Sequence, residues 1–204
     1  IKIHSQYSIC EGAIKIDDLK DFAKKNKIKS LAISDTLNLC GALEFAEKIS
    51  SAGTQPIIGT QINFRFSDTT GLLPLFALDK EGYKKIIELS SESYLRNKNS
   101  EEPYLDFKEL LRIDNGVALF SGSVFGLFGK LFDKGKFSEI KELYLNLKSK
   151  FSDRFYIEIQ RHGDQNELSF EKFNLKKSSE LEIPLIATNE VFYLEKEMYE
   201  AHDA

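Results

Sequence analysis

Short apolar runs alternate along the chain with segments of helical periodicity. Strands are predicted at residues 1–4, 30–34, 56–64, 73–78, 117–121, 154–160 and 184–188. The runs Leu31-Ala32-Ile33, Val117-Ala118-Leu119-Phe120 and Leu185-Ile186-Ala187 are apolar throughout. Runs without polar alternation suit strands covered on both faces, as in a parallel sheet. Helices are predicted at 17–26, 42–51, 82–93, 137–151 and 167–181. Their expected inward residues are Leu19, Phe22 and Ala23; Leu43, Ala46 and Ile49; Tyr83, Ile86, Ile87 and Leu89. The last two helices place Ile140, Leu143, Tyr144, Leu147 and Phe151, then Phe170, Phe173 and Leu175, on their apolar stripes. Turn signals at Ser51-Ala52-Gly53 and Lys134-Gly135 separate elements, and the polar stretch 97–103 reads as an exposed insertion. Seven strands, each followed by a helix or helical turn, predict an α/β fold: a closed or nearly closed β/α barrel, TIM-barrel-like. An open doubly wound sheet is the alternative. No Gly-x-Gly-x-x-Gly or Walker loop supports a nucleotide-binding sheet.

At 204 residues, 42% of them hydrophobic, the chain is the size of one globular domain with a sizeable core. No apolar run approaches the roughly 18 residues of a membrane span. The N-terminus shows no basic region followed by an apolar one, so no secretion signal is read and a cytoplasmic location is expected. It also lacks an initiator Met, and the last residues read as a helix in progress, which predicts an N-terminal fragment of a longer chain. A formal charge of -4 argues against strong autonomous DNA binding, whose affinity comes largely from neutralising phosphates. The two cysteines, Cys10 and Cys40, are too few for a disulfide framework or a four-thiolate zinc site and are expected as packed, reduced thiols.

The strand ends carry the polar residues, where a β/α barrel places its chemistry. They are His4-Ser5, Ser34-Asp35-Thr36, Gly59-Thr60-Gln61, Ser121-Gly122-Ser123, Glu158-Ile159-Gln160-Arg161-His162 and Thr188-Asn189-Glu190. Strand ends also meet water, so polarity there does not by itself mark a site. The three histidines are His4, His162 and His202, and His202 falls in the terminal helix, away from the strand ends. Three strong ligands, His4, Asp35 and Glu190, could hold one ion weakly and not a multi-ion cluster. No nucleophile elbow is present, and Arg161-His162 could hold a phosphate or form a structural pair with Glu158.

Several blocks resemble a known family. His4-Ser5-Gln6-Tyr7-Ser8 with Glu11-Gly12-Ala13 is similar to the opening of the polymerase and histidinol phosphatase (PHP) domain of bacterial DNA polymerase III alpha subunits. The similarity continues through 31–42, Pro56-Ile57-Ile58-Gly59, Ala77-x-Asp79-x-x-Gly82-Tyr83, Ser121-Gly122, 154–163 and 184–190. These blocks keep the family's order and span essentially the whole chain. The resemblance implies a distorted seven-stranded β/α barrel, a single domain over 1–204.

Active PHP domains bind three metal ions through nine positions, and the resemblance maps them residue by residue. The first His-x-His pair falls on Lys2 and His4, the Asp-His pair on Asp35 and Thr36, the Glu on Gln61. The next His falls near Leu72, the Cys or His on Ser123, and the closing Asp-x-His on Glu190 and Phe192. Only His4 and Asp35 match, with Glu190 a near-match. An ammonium at Lys2 opposes divalent cations, and Leu72 and Phe192 have no lone pairs to offer. A metal site that retains no ion and no catalytic residue is therefore expected, with Lys2 neutralising Asp35 and Glu190.

The resemblance implies a noncatalytic scaffold that supports the rest of a DNA-directed DNA polymerase and docks a proofreading exonuclease subunit. Polymerisation, its Mg ions and the contacts with DNA belong to the full-length protein; no membrane partner is expected. An active phosphoesterase using Zn or Mn, either a 3′–5′ exonuclease or a pyrophosphatase, is the competing reading. A free-standing histidinol phosphatase is disfavoured because the matched blocks are of the polymerase type.

Overall fold

The computed structural model describes residues 2–96 and 102–199. In chain order its first elements are β1 (Lys2–Ile3), α1 (Ile16–Lys25), β2 (Ser30–Thr36), α2 (Ala42–Ser51), β3 (Gln55–Phe66) and β4 (Thr69–Ala77). There follow α3 (Lys80–Arg96), β5 (Leu105–Asp106), β6 (Val117–Phe120), α4 (Leu127–Asp133) and α5 (Phe137–Phe151). The last are β7 (Phe155–Ile159), α6 (Glu167–Leu181), β8 (Leu185–Ala187) and β9 (Glu190–Val191), with short 3₁₀ turns at Phe107–Arg112, Ser152–Arg154 and Lys196–Met198. The fold is α/β. All seven expected strands are present, and the two added ones, β5 and β9, are only two residues long.

The chain forms two compact units, one built up to Gln61 together with the segment from Glu190, the other from Ile62–Asn189. The first unit follows the expected alternation: β1, α1, β2, α2 and the first half of β3. Its strands are parallel, with β1 between β9 and β2, and β2 also paired to β3. One face of these strands packs Ile3 and Ile33 against Ile16, Leu19 and Ala23 of α1 and Phe45 and Ile49 of α2. The inward face of α2 is therefore Ala42, Phe45 and Ile49, and Leu43 points to solvent. Phe22 of α1, expected inward, is exposed as well. In both helices the buried residues recur at spacings of three and four, and the displaced apolar residue sits one position off that stripe.

The second unit departs from strict strand–helix alternation. Only Ser67 and Asp68 separate β3 from its hydrogen-bonded neighbour β4. Two residues can close an antiparallel hairpin and never a parallel crossover, which needs a dozen or more; Ser67 takes φ +55° to make the turn. β4 is antiparallel to β6 as well, and parallel order resumes from β6 through β7 to β8. The apolar face of α5 is the expected one, with Ile140, Leu143, Tyr144, Leu147 and Phe151 all buried. In α3 the buried residues are Gly82, Ile86, Leu89 and Ser93, and Ile87 is turned out. In α6 they are Phe170, Glu171, Asn174 and Leu181, with Leu175 exposed, because polar partners replace apolar ones on that face. Tyr144 donates to Asn174 Oδ1 at 3.1 Å, and Arg161 grips Glu171 through two nitrogens at 2.9 and 2.6 Å.

The unpredicted α4 is short and contains Gly129, whose missing Cβ lets it lie against the backbone of Val124, where a Cβ would sit 1.9 Å from Val124 O. Residues 97–101 of the expected insertion lie outside the described residues, as do residues 200–204 with His202.

Candidate functional site

Strand alternation and parallel register build the site in the first unit. Lys2 is the register partner of Glu190, Ile3 of both Val191 and Ile33, and Thr36 of Gln61. Successive residues of a strand point to opposite faces. Ile3, Ile33 and Val191 therefore share the helix-packed face, while Lys2, His4, Thr36, Gln61, Glu190 and Phe192 share the other. Two local i, i+2 pairs, Lys2/His4 and Glu190/Phe192, are thereby set side by side.

Three nitrogens converge on one oxygen. Glu190 Oε1 lies 3.1 Å from Lys2 Nζ, 3.1 Å from His4 Nε2 and 2.6 Å from Gln61 Nε2, which donates to it. Lys2 is completely buried, so its ammonium has left water and faces a carboxylate instead. Burial is the largest influence on Glu190 and would raise its pKa. The hydrogen-bonding contact with His4, the charge of Lys2 and the Gln61 amide together outweigh it, holding the carboxyl well below the usual range. Phe192 stacks on His4 with ring centroids 4.4 Å apart and planes inclined by 22°, closing one side of the imidazole.

The other imidazole nitrogen faces hydroxyls. Ser8 Oγ donates to Asp35 Oδ1 at 2.8 Å, and Thr36 Oγ1 donates to Glu11 Oε2 at 2.5 Å. With their protons committed, both hydroxyls present lone pairs to His4 Nδ1, at 3.2 and 3.3 Å. Nε2 lies 3.1 Å from both Glu190 Oε1 and the Gln61 amide, so both ring nitrogens already face polar neighbours. Asp35 lies on the opposite strand face and is held by Ser5, whose backbone N–H and hydroxyl donate at 2.6 and 2.8 Å, and by Ser8. Ser5 is legible as a polar strand end, whereas Ser8 and Glu11 carry no local signal of the site. Their role depends on the fold of residues 5–12, where Gly12 packs on Ser5 so closely that a Cβ would lie 2.0 Å from its carbonyl oxygen.

Leu72 and Ser123 belong to the second unit. Leu72 lies in β4, and Ser123 caps a tight turn, accepting from Phe125 N at 3.3 Å and from Gly126 N through its carbonyl. The possible pairing of Arg161 with Glu158 is replaced by the Arg161–Glu171 fork, because α6 brings Glu171 to the strand end. Glu158 instead accepts from Gln160 and Thr188. His162 is exposed, and its backbone N–H donates to Glu167. Cys10 and Cys40 are exposed thiols and not packed ones; Cys10 sits in a turn at φ +64° and Cys40 in the connection leading to α2, both outside the apolar core. Among the described residues no group of three or more His, Cys, Asp or Glu is arranged to hold a metal ion. Among them, too, no helix is long and apolar enough to cross a membrane.

The PHP domain model matches residues 1–162. The whole chain aligns with DNA polymerase III subunit alpha of Caulobacter vibrioides at 34% identity, covering 18% of that protein. It aligns with the subunit of the same name from Rickettsia felis at 33%, covering 17%. The chain thus spans less than a fifth of the length of these curated relatives. A solved structure from Bifidobacterium adolescentis, described as a candidate metal-dependent phosphoesterase, superposes with a TM-score of 0.58 at 11% identity, over 94% of this chain and 86% of that one. That likeness extends to the fold, which is of the β/α-barrel type expected from the sequence. With a family model matching residues 1–162, well over half its length, this chain belongs to the PHP domain family.

Proposed function

We propose that the chain is the PHP domain of a DNA polymerase III alpha subunit, and that it serves that polymerase as a noncatalytic scaffold. The relatives' name supports the first part. The observation that carries the second is the buried Lys2–Glu190 pair at 3.1 Å. A divalent-ion cluster needs several anionic or lone-pair donors facing a shared centre. Here an ammonium occupies that face, the Glu190 oxygen nearest it is already surrounded by nitrogens, and His4 Nε2 is flanked by a carboxylate and an amide. These residues do not fit the family's ion cluster. The fixed positive charge substitutes for bound cations and turns a former reaction centre into a structural core.

On this reading the full-length protein is a DNA-directed DNA polymerase acting in chromosomal replication in the cytoplasm. Polymerisation and its Mg ions lie in the remainder of that chain. The domain's partners are that remainder and a proofreading exonuclease subunit, with DNA engaged mainly elsewhere.

Elemental analysis of the chain purified in the presence of Zn or Mn tests the reading. Less than one ion per chain, with no chelator-sensitive release of phosphate from a 3′-labelled oligonucleotide or from pyrophosphate, is expected. Two or more ions per chain together with hydrolysis that a chelator stops would establish the phosphoesterase reading instead, the activity for which the Bifidobacterium structure is named.

A further inference from the structure

The C-terminal end of α1 and the residues that lead into β2 read Phe22-Ala23-Lys24-Lys25-Asn26-Lys27-Ile28-Lys29. Lys24, Lys25, Lys27 and Lys29 are all exposed, and among the described residues none of their ammonium groups has an ion-pair or hydrogen-bond partner. The nearest acid, Asp21, is exposed on the same helix three and four residues before Lys24 and Lys25 and pairs with neither, and Asp17 is taken by Lys48 at 2.8 Å. Lys24 and Lys25 also complement the negative end of the helix, but Lys27 and Lys29 lie beyond it and gain nothing from that field. Lys27 is held at φ +50° and Asn26 donates to Phe22 O at 2.8 Å, so the turn that presents the lysines is a defined one. Phe22 is 42% exposed beside them, although its place on α1 predicted burial.

We propose that this turn is a contact site for single-stranded nucleic acid. Lys24 to Lys29 span at most about 18 Å of chain, a length over which one strand of B-DNA carries about five phosphates at 3.4 Å each. Four ammoniums therefore meet a comparable number of negative charges. An exposed aromatic ring among lysines is the arrangement on which unpaired bases stack. A duplex hides its base faces, and an acidic peptide offers the ring nothing comparable. Lysines meet phosphates as point charges without the planar fork of arginine, and ring stacking accepts any base, so the contact tolerates varied sequences. The site lies at the start of β2, whereas Asp35 and Thr36 lie at its end. The contact is thus independent of the scaffold reading, and with a net charge of -4 it is local and weak.

Fluorescence anisotropy of a labelled 20-mer oligothymidylate, titrated with the chain across KCl concentrations, tests this. The logarithm of the association constant is expected to fall against log salt with a slope of about −3, since each engaged lysine contributes about −0.7 on single strands. A Lys24→Gln/Lys25→Gln/Lys27→Gln/Lys29→Gln variant should lose most of that slope, and Lys27→Gln/Lys29→Gln, which leaves the helix untouched, about half. Phe22→Ala should weaken binding about fivefold or more without changing the slope. Unchanged affinity and slope in both lysine variants would overturn the site. A glutamate-rich peptide that binds more tightly than the oligonucleotide at equal salt would assign the turn to an acidic protein instead. A duplex that binds more tightly, with Phe22→Ala neutral, would overturn the single-strand assignment.

Discussion

Replacing Lys2 by methionine keeps most of the side chain's volume and removes only its charge. At 3.1 Å the attraction between Lys2 and Glu190 is about 5 kcal/mol for an effective dielectric constant near 20. The variant also escapes the cost of burying an ammonium, so the net loss is expected at about 3 kcal/mol, the low end for breaking a buried pair. For a chain of this size that lowers Tm by roughly 6–12 °C. The loss depends on pH. In the native protein the Glu190 carboxyl lies below its unfolded value of 4.5, so its contribution is complete above about pH 5 and fades as pH falls below 4.5. In Lys2→Met the ammonium is gone and burial, the largest influence, pushes the carboxyl upward. The acid form is then tolerated, and the difference between variant and wild type shrinks toward pH 4. Urea unfolding at pH 7 and pH 4.5 measures both quantities. Lys2→Met/Glu190→Gln, which leaves no lone buried charge, should return to within about 1 kcal/mol of wild type. A loss under 1 kcal/mol at pH 7, equal at both pH values and unaffected by the second substitution, would refute the account of this pair.

Gly12→Ala would force a Cβ to 2.0 Å from Ser5 O and is expected to lower stability by about 2–3 kcal/mol, read as a fall in Tm. Tyr144→Phe removes the hydroxyl that donates to buried Asn174, with an expected loss of about 1–2 kcal/mol by urea titration; no loss would show that the contact is incidental. Both thiols should react with a thiol reagent in the folded protein before any denaturant is added, because Cys10 and Cys40 are exposed. Two slow thiols released only on unfolding would contradict that placement.

The elements were largely legible because they depend on local pattern. The five-residue apolar stripe of α5 needed nothing but a period of 3.6, and all five residues are buried. The β3–β4 hairpin was not legible as a break in alternation, since nothing local distinguishes a strand that turns back from one that passes into a helix. Phe22 and Leu43 mislead for a related reason: which apolar residue of a neighbouring pair is buried depends on what packs against the helix. At the site, residue chemistry alone shows that Leu72 and Phe192 have no lone pairs to offer and that Lys2 carries a charge of the wrong sign for a divalent ion. The partners of the residues that remain are not readable that way, and Glu11 and Ser8 enter only through the folded turn.

By itself the sequence determined the alternation of strands and helices, the family, and the two i, i+2 pairs that must share a strand face. Only the tertiary structure decided that Lys2 is opposite Glu190 and that Gln61 reaches both Glu190 and His4. Side-chain alternation is a property of a few consecutive bonds, whereas register joins strands nearly the whole chain apart and is set by how their opposite faces pack.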